Sequence, residues 1–286
     1  MPMSKIFHHS KVARTLASLN RVQAEEHFTA RTRSQYLGSN KLLCQILGEY
    51  KFFVSGDDVG LASHLLFDGY WEFWLTKFFA DRIKPGDTVI DIGANLGYYS
   101  VLAADLVGPE GRMVAVEPNP AMFDLLRQSL QVNGFSARSD LRNIALGGDE
   151  SGSMPFFVPR GEPKNGRFIS ANEDRDWLSR NGSIFDVKAE SLSPDDYARV
   201  DFIKIDVEGA EVMVLDEIAP LIERFKPLIV CEVNFSRGYS YSDIVDRLGE
   251  NGALKHLDFH SKVKPLTEQM TRTERKNDDW LVVANV

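Results

Sequence analysis

The chain has 286 residues, 43% of them hydrophobic, with 33 Lys/Arg against 41 Asp/Glu and a formal net charge of −8. That length can bury a full core, so one large α/β domain with an extension is expected, and the negative balance argues against a duplex nucleic-acid binder, which must neutralise phosphates. Two cysteines, Cys44 and Cys231, form no pairing framework and suit a reducing, cytoplasmic setting, and no apolar run approaches the roughly 18 residues of a membrane-spanning helix.

Residues 1–55 read as helical and moderately apolar. Residues 1–40 carry Lys5, Lys11, Arg14, Arg21, Arg31 and Arg33 against Glu25 and Glu26, without the apolar stretch of a signal peptide. Two-sided amphipathicity is poor there. A helical arm packing on the main domain, or on a second subunit of a homo-oligomer, is therefore favoured over a membrane-surface helix. Ser55-Gly-Asp-Asp-Val-Gly60 is a turn cluster. It divides a helical N-terminal extension, 1–60, from a main domain, 61–286. The segment 61–83 holds Trp71, Phe73, Trp74, Phe78 and Phe79, expected as core or as a lid over a pocket. His64, just before them, is either a packed histidine or a general base.

The pattern predicts a buried parallel strand over 88–92, with Asp91 near its end. Gly93 and Gly97 bracket a tight turn, and a helix follows over 96–107. Strand, glycine turn and helix make the first half of a nucleotide-binding unit. Glu117 closes a second strand, 112–116, where an acid can accept hydrogen bonds from both hydroxyls of a ribose. The dinucleotide fingerprint G-x-G-x-x-G would place a glycine where Asn95 stands. The spacing D-x-G-x-x-x-G instead fits a ligand without a pyrophosphate, such as S-adenosylmethionine. The bland alternative is a bare turn with no ligand.

A helix follows over 119–133, with Asn119 as N-cap and Gly134 as stop. Strands are expected over 141–146, 153–158, 184–189, 202–207, 227–233 and 280–284, with helices from Glu211 and over 241–250. The polar stretch 159–181 reads as a loop or lid. Strands alternating with helices imply a doubly wound, mostly parallel sheet.

Asp206 falls at the carboxyl edge of the fourth core strand, where ligands bind in open α/β folds. Glu208 and Glu211 follow it; Glu211 is equally well explained as an acid favoured at a helix N-terminus. Glu232 and Asn234 close the fifth core strand on the same edge. With Asp206 they make an oxygen-donor set compatible with Mg²⁺, although hydrogen bonds to substrate hydroxyls or strand-end capping explain them without a metal, and the metal-free reading is favoured. His256 and His260 have no nearby acid that would complete a zinc motif.

Four segments together resemble the FkbM-type S-adenosylmethionine-dependent methyltransferases: Asp91-Ile-Gly-Ala-Asn-Leu-Gly-Tyr-Tyr-Ser100, Glu117-Pro118, Asn143-Ile-Ala-Leu146 and Phe202-Ile-Lys-Ile-Asp-Val-Glu-Gly-Ala-Glu211. The resemblance covers about residues 70–285. It implies a class I methyltransferase (Rossmann-like) fold with a seven-stranded sheet, one strand antiparallel. It further implies that Asp91, Gly93, Asn95 and Gly97 hold the methionine moiety, Glu117 the ribose, and Asn143 to Ala145 the adenine neighbourhood. Members so resembled are mostly O-methyltransferases of sugars, glycans or secondary metabolites. Ser191-Leu-Ser-Pro-Asp195 departs from the family's T-L-D-like segment, and 159–181 is more charged than the family pattern. Both departures fall where acceptor specificity is expected to be set.

The expectation is an O-methyltransferase acting on a small molecule or glycan, with Asp206 or Glu208 as base and His64 behind them. Its rivals are an NAD-dependent oxidoreductase, disfavoured by Asn95, and a nucleotide-binding scaffold without catalysis.

Overall fold

The structure is a computed structural model and describes residues 9–147, 152–169, 173–275 and 278–285. Lys5 of the basic N-terminal set, and residues 170–172 of the expected lid, lie outside the described residues.

The first core strand, Thr88–Ile92, is buried at every residue, as a β-branched run covered on both faces must be. It pairs in parallel with Arg112–Val116 on one side and with Phe202–Ile205 on the other. Ser139–Arg142 and Leu228–Val233 extend the sheet outward, also in parallel. Trp280–Ala284 then enters antiparallel to Leu228–Val233, followed by Leu254–Leu257 and an edge strand, Val263–Leu266. Among the described residues this sheet has eight strands rather than the expected seven. Val263–Leu266 is the addition. At four residues each, it and Leu254–Leu257 are too short for a period-two pattern to stand out.

Alternate residues of the core strands feed two apolar layers. Val89 and Phe202 pack with Leu102, Val107 and Leu126, from the helices Tyr98–Val107 and Pro120–Val132. Ile90, Ile203 and Ile229 pack with Val214, Leu215 and Ile244, from Glu211–Glu217 and Tyr241–Leu248. Helices on both faces make the sheet doubly wound.

The N-terminal extension differs from its helical expectation. Two short helices, Lys11–Ser18 and Arg21–Thr29, are followed by an antiparallel meander of Ser34–Gly38, Lys41–Ile46 and Tyr50–Ser55. The last of these alternates buried Tyr50, Phe52 and Val54 with more open neighbours, a strand period that a helical reading of 1–55 overlooks. Ser39 and Asn40, both at positive φ, make the first turn. The meander lies on the helix Pro120–Val132: the Phe53 amide donates to Ser129 Oγ at 3.0 Å, and Asn133 exchanges bonds with the Lys51 backbone at 3.0 and 2.6 Å. Phe28, Phe52 and Val54 belong to the same apolar core as Val89 and Leu102.

The stretch expected as one strand over 141–146 breaks in two. Asn143 turns its side-chain amide to the carbonyls of Glu117 and Pro118, at 2.8 and 3.1 Å. Ser139–Arg142 therefore stays in the main sheet, while Ala145–Leu146 joins Gly182–Glu190 in a separate four-stranded sheet with Ser153–Pro159 and Arg167–Phe168. The polar segment 159–181 thus includes a short strand and a helix, Arg175–Asn181, rather than only loop.

Candidate active site

The carboxyl edge of the sheet opens into a cleft of about 1290 Å³. Its cofactor-like side is built by the turn after Thr88–Ile92. Gly93 has φ 73°, and a Cβ there would overlap the carbonyl oxygen of Asp206, so only glycine lets the two strand ends approach. Asn95 takes a left-handed φ of 53°, and Gly97, at φ 90°, opens the following helix. Glu117 accepts the backbone N–H groups of Asn95 and Asn119, each at 2.7 Å. Burial pushes its carboxyl up to about 7 despite those two donors.

The expected cofactor residues do not all face the cleft. Gly93, Asn95, Glu117 and Ala145 line it; Asp91, Gly97 and Asn143 do not. Asp91 lies in the floor, 1% exposed, where it accepts from Ser100 Oγ at 2.6 Å and stands 3.6 Å from Lys204 Nζ. It thereby links its strand to the helix after the turn and to the neighbouring strand.

The cleft is also rich in carboxylates: Asp206, Glu208 and Glu232 line it, and so do Glu72 and Asp279. Asp206 is held by Lys204 at 3.2 Å, and Glu208 by Arg237 at 2.7 Å. Burial, and then the charge of Asp206, push Glu208 up to about 7 against the pull of Arg237. Burial and the surrounding acids raise Glu232 well above the usual range. Burial opposes the charge of Lys204, but Asp206, Asp91 and Glu232 more than restore it and raise its pKa.

Two expected residues fall elsewhere. His64 is not among the cleft-lining residues: its ring lies against Trp71 with centroids 5.2 Å apart, and its Nδ1 is 3.0 Å from Asp68, so it is a surface pair rather than a base in the cleft. Asn234 does not line the cleft either. Its amide donates to Asp279 at 2.9 Å and its Oδ1 accepts from Ser236, which leaves it poorly placed beside Asp206 and Glu232 as a metal ligand. Among the described residues no group of three His, Cys, Asp or Glu gathers in a metal-binding arrangement.

Glu72, Lys204, Arg237 and Asp279 escape a sequence reading. Lys204 left a signal: a lysine inside an apolar strand needs a buried countercharge, and Asp91 is its register partner on the next strand. Arg237 and Asp279 come from loops whose meeting depends on the reversed last strand. The expected lid does reach the cleft, through residues 163–169. The carbonyls of Pro163 and Lys164 lie 3.4 and 3.5 Å from the side-chain amides of Asn119 and Asn95.

The profile of the methyltransferase FkbM domain matches residues 91–259. The chain is similar to the protein-L-isoaspartate O-methyltransferase of Aeropyrum pernix, 37% identical over 76 residues, or 27% of this chain and 28% of that protein. It spans under a third of that relative's length. It is also similar to Methyltransferase 1 of Beauveria bassiana, 24% identical over 187 residues, 58% of this chain and 73% of the relative. Among solved structures it is similar to the methyltransferase FkbM of Methylobacillus flagellatus KT, at 14% identity and a TM-score of 0.41 over 73% of this chain and 50% of that one. No described helix is long and apolar enough to cross a membrane. With its doubly wound, mainly parallel sheet, the chain belongs to the FkbM methyltransferase domain family.

Proposed function

We propose that this protein transfers a methyl group from S-adenosylmethionine to a hydroxyl of a sugar, glycan or secondary metabolite. The observation that carries the reading is one cleft lined both by a glycine turn with the buried Glu117 and by the carboxylates Glu72, Asp206, Glu208, Glu232 and Asp279. The residues present fit the donor. Gly93, Glu117, Ile144 and Ala145 all line the cleft: Glu117 would offer carboxylate oxygens to ribose hydroxyls, and Ile144 and Ala145 an apolar wall to a base. When bound, the donor supplies an electrophilic methyl on a cationic sulfur.

The chain's own task is to position the acceptor and take its proton. Positioning in line with the methyl supplies several kcal/mol of the rate, roughly 7–11 in well-oriented cases. A nearby carboxylate then accepts the hydroxyl proton. The row of acids suits both the cationic donor and this proton transfer, so no metal is required. The choice of acceptor follows the family resemblance of the sequence, and the carboxylates in the cleft suit loss of a hydroxyl proton. The buried, unpaired Cys44 and Cys231 support a reducing, cytoplasmic setting.

Calorimetry with S-adenosylhomocysteine tests the donor site, and mass spectrometry of cell extract treated with isotopically labelled methyl donor tests transfer. Binding without transfer would favour the scaffold reading; binding of NADH in its place would favour the oxidoreductase.

A further inference from the structure

We propose that Glu72 is the general base of the acceptor half of the cleft, a role that rests on the methyl-transfer reading above. Glu72 precedes the helix Phe73–Arg82 and takes a left-handed conformation, φ 37° and ψ 72°. Such a backbone costs on the order of 1–3 kcal/mol for a residue other than glycine. Its carbonyl accepts the first helical N–H groups, from Leu75 and Thr76 at 3.0 Å each, but its side chain makes no capping hydrogen bond and so is not spent on the helix. The strained backbone instead turns the carboxyl into the cleft, between Trp71 and Trp74, which line it on either side in the chain.

Tyr99 fixes the carboxyl there. Its hydroxyl donates to Glu72 Oε2 at 2.7 Å, and Tyr99 is itself a buried residue of the helix that follows the glycine turn. The Lys204 ammonium stands 5.3 Å over the Tyr99 ring. Among the described residues Glu72 Oε1 accepts no hydrogen bond, so it is open to the cleft. This separates Glu72 from the two acids that the sequence suggests as bases: Asp206 and Glu208 each already face a cation, Lys204 and Arg237. Glu208 is pushed up to about 7 as well, but Arg237 occupies its carboxylate at 2.7 Å, whereas the hydrogen-bond partner of Glu72 is a neutral phenol that leaves Oε1 free to take a proton.

The charges around Glu72 come from four elements. Asp206 and Lys204 lie at the end of the fourth core strand, Glu232 on the fifth, Asp279 before the last, and Tyr99 on the helix. Burial first, and then Asp206 and Asp279, push the carboxyl up to about 7, against Tyr99 and Lys204. A base with that value is half ionised at neutral pH, where general-base catalysis is most effective. In the step, the acceptor oxygen forms its bond to the methyl carbon as the carbon–sulfur bond breaks, and the bond's electrons stay on sulfur as a neutral thioether. The hydroxyl proton moves to Glu72 Oε1 and later leaves to solvent through the open cleft.

The test uses the full chain, S-adenosylhomocysteine as binding probe, and labelled methyl transfer to extract acceptors across pH 5.5 to 9. For the wild type the rate is expected to rise with pH and level off above about 7, as the carboxyl of Glu72 ionises. Glu72→Gln is expected to lose the rate about 100-fold or more together with that acidic limb, while S-adenosylhomocysteine affinity stays within about twofold. Glu72→Asp is expected to keep the limb at a lower rate. A Gln variant that keeps the limb, or one whose loss is matched by an equal loss of S-adenosylhomocysteine affinity, would overturn the role. If the Gln variant does not fold, the Asp variant decides, and an unshifted limb at full rate counts against Glu72. A wild type that binds S-adenosylhomocysteine yet transfers nothing overturns the transfer reading itself, and this role with it.

Discussion

Asp91 and Lys204 face one another in register on neighbouring parallel strands, with Lys204 Nζ 3.6 Å from Asp91 Oδ1 and both side chains almost wholly buried. The pair ties the strand that launches the glycine turn to the strand that ends at Asp206. Charges this deep need partners, and Lys204 answers Asp91 here and Asp206 at 3.2 Å, while Ser100 donates to Asp91.

Lys204→Met removes the countercharge and strands the Asp91 carboxyl. It is expected to destabilise the fold by about 3–5 kcal/mol, the range for breaking a buried pair from one side. Urea unfolding measures this. Adding Asp91→Asn should recover part of the loss, and strict additivity of the two changes would show that they are not coupled.

Gly93→Val is a sharper lesion than a lost ligand contact. The added atoms meet the Asp206 backbone and not only the space for a cofactor. Both stability and S-adenosylhomocysteine binding should fall, the former by more than the roughly 1 kcal/mol of an ordinary glycine replacement. A variant that melts like wild type would place the turn elsewhere.

Glu117→Gln keeps the size of the side chain but removes its charge and half of its acceptor capacity. The loss of S-adenosylhomocysteine affinity is expected at about 1–3 kcal/mol, the range for hydrogen bonds to a charged group. Calorimetry reads it directly. Equal affinity in the folded variant would remove Glu117 from the ribose.

Stability of the ligand-free chain should fall as pH rises from about 5 to 8. Glu72, Glu117 and Glu208 titrate near 7 when folded, against an ordinary value of 4.5. Between those values the folded state holds protons that the unfolded state has released, so folding weakens with rising pH. His27 and His256, both depressed below 6.5, act in the opposite direction but are outnumbered. A tenfold difference in proton affinity between the folded and unfolded states is worth roughly 1.4 kcal/mol. Thermal melts should show a midpoint a few degrees higher at pH 5.5 than at pH 8, and a flat profile would mean that the acids are better solvated than their burial implies.

Methyl transfer is expected to survive EDTA. Asn234 is committed to Asp279 and Ser236, so Asp206 and Glu232 lack their third expected oxygen. Activity abolished by EDTA and restored by added Mg²⁺ would reverse that expectation.

The glycine turn and the acid after it, which line the cleft, were legible in the sequence because their signals are local. A β-branched run, two glycines at a fixed spacing and an acid at the next strand's end all act over a few residues. The positive φ of Gly93 and Gly97 is a property of the turn itself. The strands Thr88–Ile92, Arg112–Val116 and Trp280–Ala284 have the limits that their patterns suggested. The N-terminal meander was less legible, since its alternation spans only five or six residues per strand and its stability comes from the helix Pro120–Val132 beneath it.

What the sequence by itself determined is the alternation of strands and helices, the glycine turn and the acid that follows it. Only the tertiary structure decided that Asp91 lies beneath the cleft instead of lining it, because its partners Ser100 and Lys204 come from a helix and a neighbouring strand that the fold brings against it. It also decided that Glu72, Glu232, Arg237 and Asp279 share one cavity. They come from segments far apart in the chain, and the strand order of the sheet, with its last strand reversed, is what brings their charges close enough to shift one another's protons.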